Sequence, residues 1–581
     1  METAITRLQA EVEAATEGHP DRAEKLDTLG HFLNIQYEQA GNLHDLEAAI
    51  AHSEAAVEAT PESHPELAQR LNNLGHRLSS RYERTGNLQD LEAAIARSEA
   101  AVEATAVDQP ERAARLNNLG AHLSSRYQRT GNLEDLEAAI ARSQAAVEAI
   151  PEESPNRAGL LNSLASHLSS RYQRTGNLED LEAVIARPQA TVEATPEKYP
   201  DRAARLSNHG IYVNRRYERG GDLEDLKAAL AAHIASWRAP TAPILTRMQS
   251  ALRAAKMMVF SPLEKDLPGA CSLLRDAIHL VSLATSRSLE REDQQYILGQ
   301  LNGLASLAAS VSLEAGESPL EALRLQGLGR NIIHGQLLDY RSDISDLVEH
   351  HPTLAADFDS LRQDLDSPLP SLQSSDMSMN EQLQAQQSAI RRRNQVARDF
   401  DNLLLQIRQK SGFENFLRGE SEANLLSAAQ EGPIVVLNVT ELRSDAILVT
   451  TAQVRSIALP NLSHALMIKY CSPSNDTDNN EVKREMLEWL WKAAVQPVLQ
   501  ELGFYPRPRK VDGQPPVDPL PRIWWIGVGL MAKAPIHAAA TFHKGRVNVQ
   551  MTTLQHCLPS YISSIRYVTS YLTLSCQQPY T

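Results

Sequence analysis

A unit of 45 residues repeats five times in the first 240 residues of the chain, and no other feature constrains the fold as strongly. The clearest copy, residues 110–154, reads PERAARLNNLGAHLSSRYQRTGNLEDLEAAIARSQAAVEAIPEES. The same proline recurs at Pro20, Pro65, Pro110, Pro155 and Pro200. A unit of this length cannot bury its apolar residues alone, so the period predicts a solenoid in which each unit stacks on its neighbours.

Each unit predicts two helices joined by a glycine turn. In residues 110–130 the apolar Leu116, Leu119, Leu123 and Tyr127 follow the spacing of one helical face, and we call this segment helix A. Gly131 can adopt the left-handed conformation that ends a helix. The second segment, helix B, is expected to run from 133 to about 149.

The start of helix B carries its own signals. Asn132 is a favourable helix cap, and Asp135 three residues later forms a variant of the capping box. The abundant alanine allows a neighbouring helix to approach closely. The apolar face of helix B is expected to comprise Leu133, Leu136, Ala139, Ile140 and Val147.

Two residues depart from an ideal helical sequence. Gly120, which has equivalents in three other copies, lies inside helix A at a cost of about 1 kcal/mol relative to alanine. A contact too tight for a methyl group would explain this glycine, although the fourth copy has Ala165 instead. That copy also has Pro188 inside helix B, where proline removes a hydrogen bond, and we predict a kink near Arg187.

The repeats resemble the tetratricopeptide repeat. The Leu-x-x-Leu-Gly core of that family stands here as LNNLG at residues 71–75, and helix A is about one turn longer than in the usual form. The resemblance implies a groove, lined mainly by helices A, that holds a peptide of a protein partner. The candidate lining residues are Asn72, His76, Arg115, Asn117, His122 and Asn162. The alternative is that they form a solvated helix face without a ligand.

Charge and composition narrow the choice of partners and of compartment. The chain has 57 basic and 72 acidic residues, a net charge of −15, which argues against nucleic acid and anionic membrane as partners. It has no apolar run long enough to span a bilayer and no signal-peptide pattern at its start, so we expect a cytoplasmic protein. Its four cysteines include no C-x-x-C pair, and we assign no metal.

The middle of the chain, residues 241–429, is predicted to be an irregular helical connector. Helical apolar spacing occurs in residues 244–259, 270–284, 292–315 and 319–338, and a long polar helix is expected at 381–410. The stretch from 367 to 380 is rich in Ser, Pro, Gln and Met and is the best candidate for a linker.

From residue 430 onward the pattern changes from helix to strand. Short β-branched runs at 434–439, 446–450 and 454–459 predict a meander, and a helix is expected at 480–502. A proline-rich loop and a strand at 522–526 follow. Strands and a helix in this order predict an α/β domain over residues 430–581.

This part of the chain resembles the opening half of a CHAT domain, a caspase- and separase-related module found behind tetratricopeptide-like repeats in fungi and bacteria. The resemblance is carried by GPIVVLNV at 432–439, RSDA at 443–446, RIWWI at 522–526 and APIHAA at 534–539. DQQY at 293–296 and LGR at 328–330 look like the helical lead-in of fungal members. The fold class is therefore mainly α, a tetratricopeptide-like solenoid and helical connector followed by a partial, caspase-like α/β domain.

The resemblance does not supply a catalytic pair. Family members place a His-Gly turn and then a Ser-Ala-Cys turn after these strands, and neither follows here, while His537 matches a position before the pair. Cys557, with His556 beside it, is either a nucleophile or a small buried hydrophobic residue. The G-x-G-x-x-A pattern at 527–532 lacks the helix and the acidic residue that bind a dinucleotide. We assign no catalytic residue and no cofactor.

These observations predict a protein-interaction scaffold or sensor whose CHAT module is incomplete and inactive. The alternative is a fragment of a caspase-like cysteine peptidase whose catalytic half is missing from this chain. Residues 561–575 are rich in Ile, Val, Tyr and Thr, so we also expect self-association through these C-terminal strands.

Overall fold

The structure is a computed structural model. It describes residues 2–15, 20–151, 154, 156–177, 179–180, 182–183, 201–287, 289, 291–330, 344–366, 379–413, 416, 422–471, 480–506, 520–543 and 546–562. The described part is mainly helical, with paired helices followed by a small mixed sheet, which confirms the predicted fold class at that level.

Helices A and B form as predicted in the repeats. Helices A span Pro20–Ala40, Leu67–Thr85, Glu111–Thr130, Arg157–Thr175 and Asp201–Gly220, and we call them A1 to A5. The helices B that the structure describes in full span Leu43–Glu58, Leu88–Glu103, Leu133–Glu148 and Leu223–Arg238, and we call them B1, B2, B3 and B5. The helix Glu2–Ala14 precedes the array and Ile244–Phe260 follows it. The kink predicted near Arg187 lies outside the described residues.

The turn between helices A and B is built as the sequence predicts. Gly131 has φ 74° and its N–H donates to the Tyr127 carbonyl, which ends helix A3. The side chain of Asn132 accepts from the Glu134 N–H at 3.0 Å and so caps helix B3.

Two details at the start of helix B3 were predicted wrongly. Asp135 does not complete a capping box; its carboxylate binds the Arg126 guanidinium at 2.7 and 3.0 Å, because a fork of two N–H donors fits a carboxylate better than one backbone N–H does. Leu133 is 42% exposed and lies outside the core. At this turn, none of the described helices covers the first residue of helix B3.

The tight contact predicted at the mid-helix glycine is present. A methyl group added to Gly120 would lie 2.9 Å from Ser143 Oγ and 3.1 Å from the Ala139 carbonyl oxygen on helix B3. The equivalent glycines Gly30 and Gly75 meet B1 and B2 in the same way. Glycine therefore sets the close spacing of the two helices in a repeat.

The chain forms two compact units, each made of three segments. The first comprises Met1–Ala254, Ser288–Gln300 and Pro368–Asn394, and the second comprises Ala255–Arg287, Leu301–Ser367 and Gln395–Thr581. The boundaries predicted at 240 and 429 stay a prediction. The predicted helix 292–315 is in fact two helices, Arg291–Gln300 and Leu304–Glu314, because Gly303 between them has φ 85°.

The second unit contains most of the remaining elements. Its helices are Leu267–His279, Val281–Ala284, Leu304–Glu314, Pro319–Arg330, Ser345–His350, Pro352–Asp366, Glu422–Ala428, His464–Cys471, Asn480–Leu490, Gln496–Glu501 and Thr553–His556. A π-helical turn at Trp491–Val495 joins two of them, and the helix Met379–Arg408 begins in the first unit and ends in the second.

A five-stranded mixed sheet forms the centre of the second unit. Its strands β1 (Ile434–Val439), β2 (Ser444–Val449), β3 (Val454–Ala458), β4 (Arg522–Gly527) and β7 (Leu558–Tyr561) lie in the order β3-β2-β1-β4-β7. The pairs β1–β2 and β2–β3 are antiparallel, which is the predicted meander, while β1–β4 and β4–β7 are parallel. The strands β5 (Ala540–His543) and β6 (Arg546–Thr552) form a separate antiparallel pair.

Helices cover both faces of this sheet. Val435 and Trp525 point to one face, where Trp491 and Leu499 of the C-terminal helices complete a fully buried core. Val436 lies with Trp524 on the other face, which packs against the helices Leu304–Glu314, Pro319–Arg330 and Glu422–Ala428. Alternation along the strands therefore gives a three-layer α/β/α unit.

Candidate partner-binding surface

Neighbouring helices A are joined by a ladder of side-chain hydrogen bonds. Asn73 on A2 donates to Asp27 on A1 at 3.1 Å, and Asn118 on A3 donates to Asn72 on A2 at 3.0 Å. Both pairs are 46 residues apart, one repeat plus one residue. The ladder fixes the stacking of A1, A2 and A3, so the exposed side of these three helices is a surface of repeating geometry.

Three of the six predicted groove residues are buried between repeats. Asn72 is a rung of the ladder, Arg115 donates to Thr105, and His122 Nδ1 lies 3.0 Å from Ser98 Oγ of helix B2. Burial lowers the pKa of His122 to about 3, so the imidazole is neutral near pH 7. These three side chains hold repeats together and present little surface to a partner.

The other three predicted residues are more accessible. His76 on A2 is exposed, and its Nε2 lies 3.9 Å from the Glu38 carboxylate of A1. Asn117 and Asn162 are half-buried on A3 and A4. Whether any of the six binds a partner stays a prediction.

A groove opens across helices A3, A4 and A5, with a volume of about 440 Å³. None of the six predicted residues lines it. Its described lining is polar and aromatic: Tyr127, Gln128, Ser166, Ser169, Ser170, Gln173, Arg174, Asn208, Ile211, Tyr212 and Arg215.

The groove carries positive charge without a carboxylate among its described lining residues. Arg215 donates to Ser169 Oγ, and the Gln173 carbonyl, in the orientation that satisfies both side chains, accepts from Arg215 Nη1 at 2.8 Å. Arg174 is exposed and makes no ion pair with the described residues. Both charges therefore remain available to a carboxylate, in a chain that is acidic overall.

The sequence contained a signal for this groove. Ser166, Ser169, Ser170 and Gln173 recur at i, i+3, i+4 and i+7 on A4, a polar stripe on one helical face. The polar residues chosen from the sequence lie mostly in the first half of helix A, whereas the stripe continues into its second half.

Other kinds of site find no support in the part of the chain that the structure describes. There, no group of three or more His, Cys, Asp or Glu side chains is placed to hold a metal ion. Burial raises the pKa of the Cys557 thiol to about 12, and the group is fully buried. None of the described helices alone is long and apolar enough to span a membrane. One bent pair of helices, Arg291–Gln300 with Leu304–Glu314, has the length and the apolar composition of a membrane span, and no other property supports that role.

The paired helices of the first unit form a tetratricopeptide-like helical-repeat array. In agreement, residues 67–111 and 112–156 match the family model of the tetratricopeptide repeat. A search of curated proteins finds no match. Among solved structures the chain is similar to that of Naa15/Naa10 bound to HypK-THB, with 14% identity over 67% of this chain and 74% of that one, and a TM-score of 0.12.

Proposed function

We propose that this chain is a protein-interaction scaffold that holds a segment of a protein partner in the groove across A3, A4 and A5. The observation that carries the proposal is the groove itself, which joins three successive repeats and exposes hydrogen-bonding and aromatic side chains. The matches of residues 67–111 and 112–156 to the tetratricopeptide repeat support it.

The electrostatics of the groove favour a partner segment with carboxylate side chains. Arg174 and Arg215 can each offer several N–H donors, and the half-buried Tyr127 provides flat apolar surface beside them. A carboxylate forms stronger hydrogen bonds with a guanidinium than a neutral acceptor does.

A displayed library of random peptides, selected on the full chain, tests this proposal. We expect enrichment of acidic peptides whose affinity falls at least tenfold in Ser166→Trp, because the indole fills the groove. Gln144→Trp adds the same side chain to an exposed position of helix B3 and should change nothing. Enriched peptides that bind Ser166→Trp as tightly as the unmodified chain would show that the groove is not the binding site.

We propose further that residues 430–581 form a CHAT-like module without catalytic activity. The parallel pairing of β1, β4 and β7 is compatible with a caspase-like sheet, and it is the observation that supports the resemblance. The alternative of a cysteine peptidase fragment gains nothing from Cys557, because a fully buried thiol cannot reach a substrate.

The setting in which the scaffold works is also a proposal. We place its action in the cytoplasm on protein partners, and the acidic composition argues against nucleic acid and anionic membrane. Self-association through the C-terminal strands involves mostly residues 563–575, which lie outside the described residues.

A further inference from the structure

The helix Arg291–Gln300, which we call the inserted helix, belongs to the first unit although its sequence neighbours on both sides belong to the second. It packs on the turn between A1 and B1. Asp293 accepts from the Leu43 N–H at 3.4 Å and forms an ion pair with Arg84 from the end of A2. The Asp293 and Arg84 side chains are only 3% and 8% exposed.

Two more residues of the inserted helix complete the contact. The Arg84 guanidinium lies 4.0 Å from the centre of the Tyr296 ring, a cation–π contact. Ile297 covers the turn, where a methyl group added to Gly41 would lie 3.3 Å from Ile297 Cδ1. Asp293, Tyr296 and Ile297 are spaced i, i+3 and i+4, so one helical face supplies an acid, an aromatic ring and a branched apolar group.

The surface that receives this face recurs in the next repeats. We call it the turn cradle: a Gly-Asn-Leu turn of one repeat with the arginine near the end of helix A in the following repeat. The first cradle is 41–43 with Arg84, the second is 86–88 with Arg129, and the third is 131–133 with Arg174. The arginine follows the leucine by 41 residues in all three.

The backbone geometry of the three cradles is nearly identical. The turn glycines have φ of 78°, 75° and 74°, and each asparagine caps helix B in the same way. Successive repeats also stack alike at all three junctions, since Arg77, His122 and His167 each contact a serine 24 residues earlier, Ser53, Ser98 and Ser143. The second and third cradles therefore place a leucine N–H and a guanidinium as the first does.

The second and third cradles are open, whereas the first is covered. Asn42 is buried in the first, but its equivalents Asn87 and Asn132 are exposed. Leu88 and Leu133 are 41% and 42% exposed, so each open cradle presents apolar surface beside its turn. Arg129 and Arg174 make no hydrogen bond or ion pair with any residue that the structure describes.

We propose that the two open turn cradles bind a helix of a partner protein that carries the same pattern as the inserted helix: a carboxylate, an aromatic ring three residues later and a branched apolar residue four residues later. The carboxylate accepts from the leucine N–H and the arginine, the ring stacks on the guanidinium, and the apolar group covers the exposed turn. The site is on the turn edge of the repeats. Arg174 belongs to both the third cradle and the groove lining, whereas Arg129 belongs to the second cradle and does not line the groove.

A synthetic peptide of residues 286–302, acetylated, amidated and labelled with a fluorophore, is a suitable probe, because it contains the whole inserted helix. The inserted helix is held within its own chain at an effective concentration on the order of millimolar, so the isolated contact can be weak. We expect saturable binding to the full chain in an anisotropy titration up to ~1 mM. A peptide with Asp293→Asn should bind at least tenfold more weakly.

Variants of the chain locate the binding. Arg129→Glu combined with Arg174→Glu should abolish binding of the unmodified peptide and allow binding of a peptide with Asp293→Lys. Because Arg174 also lines the groove, Arg129→Glu alone is measured as well, and it should lower the number of peptides bound per chain from two to one. Ser166→Trp, which fills the groove, should leave peptide binding unchanged. The proposal is overturned by absence of saturable binding, by equal affinity for the double variant, or by loss of binding in Ser166→Trp. Loss of binding in Ser166→Trp would show that the peptide binds in the groove, which agrees with the proposed function but not with the turn cradles as the site.

Discussion

At the scale of single residues, the spacing between helices A and B depends on the absence of one methyl group. Gly120 faces Ser143 Oγ and the Ala139 carbonyl at distances that a Cβ atom does not tolerate without a shift of its neighbours. Ser143 is itself held by His167, with Ser143 Oγ and His167 Nδ1 3.0 Å apart. The serine therefore cannot turn away without breaking a buried hydrogen bond.

We predict that Gly120→Ala lowers the free energy of unfolding. Alanine gains about 1 kcal/mol in helix propensity, but overpacking costs typically 1–3 kcal/mol, so the net loss should be about 1 kcal/mol. Gly159→Ala on A4 is the matched control, since its methyl would meet only Arg205 Nη2 at 3.5 Å, an ordinary contact. Denaturant unfolding should show the control equal to or more stable than the unmodified chain. A stabilised Gly120→Ala variant would contradict the close contact.

Sequence reasoning succeeds at residues whose neighbours lie in the same repeat. The tight contact at Gly120 was predicted because glycine inside a helix lowers its stability and is retained where a side chain would not fit. Leu133 was placed in the core wrongly, because helical periodicity identifies a face but not whether another element covers its first turn. Likewise, His122 was expected in the groove because it is polar. The sequence does not show that its partner is Ser98, 24 residues earlier, in the buried junction between two repeats.

At the scale of elements, buried histidines connect a helix B to the next helix A. His122 and His167 each lie 3.0 Å from a serine of the preceding helix B, and burial lowers their pKa values to about 3 and about 4. Their neutral forms fit these junctions, whereas an imidazolium would be desolvated there without a counter-charge.

We predict that acid weakens the repeat array through these junctions. The folded-state pKa values lie below the ordinary value of 6.5, so the unfolded chain binds more protons between pH 6.5 and about 4. The free energy of unfolding should therefore fall as the pH is lowered through this window, by up to about 1.4 kcal/mol per pH unit for each histidine.

The double variant His122→Asn, His167→Asn isolates this effect from that of carboxylates. Asparagine keeps a polar atom at the δ position but does not titrate, so the slope of stability against pH should become flatter than in the unmodified chain. His279→Asn removes an exposed histidine outside these junctions and should keep the original slope. Equal slopes in all three chains would show that the buried histidines do not control acid stability.

At the scale of the whole molecule, residues more than 200 positions apart meet at one buried ion pair. Arg84 and Asp293 are separated by 209 residues, and the Leu43 N–H that also binds Asp293 is 250 residues away from it. The sequence predicted a helix around 292 but nothing about where it docks, because period and composition report only local structure. For the same reason the sequence did not predict the groove, because residues from three successive repeats line it.

We predict that Arg84→Glu releases the inserted helix from the first turn cradle. The new carboxylate would face Asp293 in a site where both side chains are nearly inaccessible to water, and like charges there repel strongly. Amide hydrogen exchange over residues 291–300 should become at least tenfold faster. Arg129→Glu makes the same change in an open cradle and should leave the amide exchange of residues 291–300 unaltered. If this exchange were unchanged in both variants, the ion pair between Arg84 and Asp293 would not be what holds the helix.

The ladder between helices A also affects whether a repeat can be lost or gained during evolution. If the gene lost the 45 codons for residues 65–109, A3 would follow A1 directly, and Asn118 would take the place of Asn73 opposite Asp27. An asparagine would again donate to the same carboxylate. Because A1, A2 and A3 carry interchangeable rungs, this unit can be deleted in frame while the new junction keeps a working partner, so this contact does not oppose a change in the number of repeats.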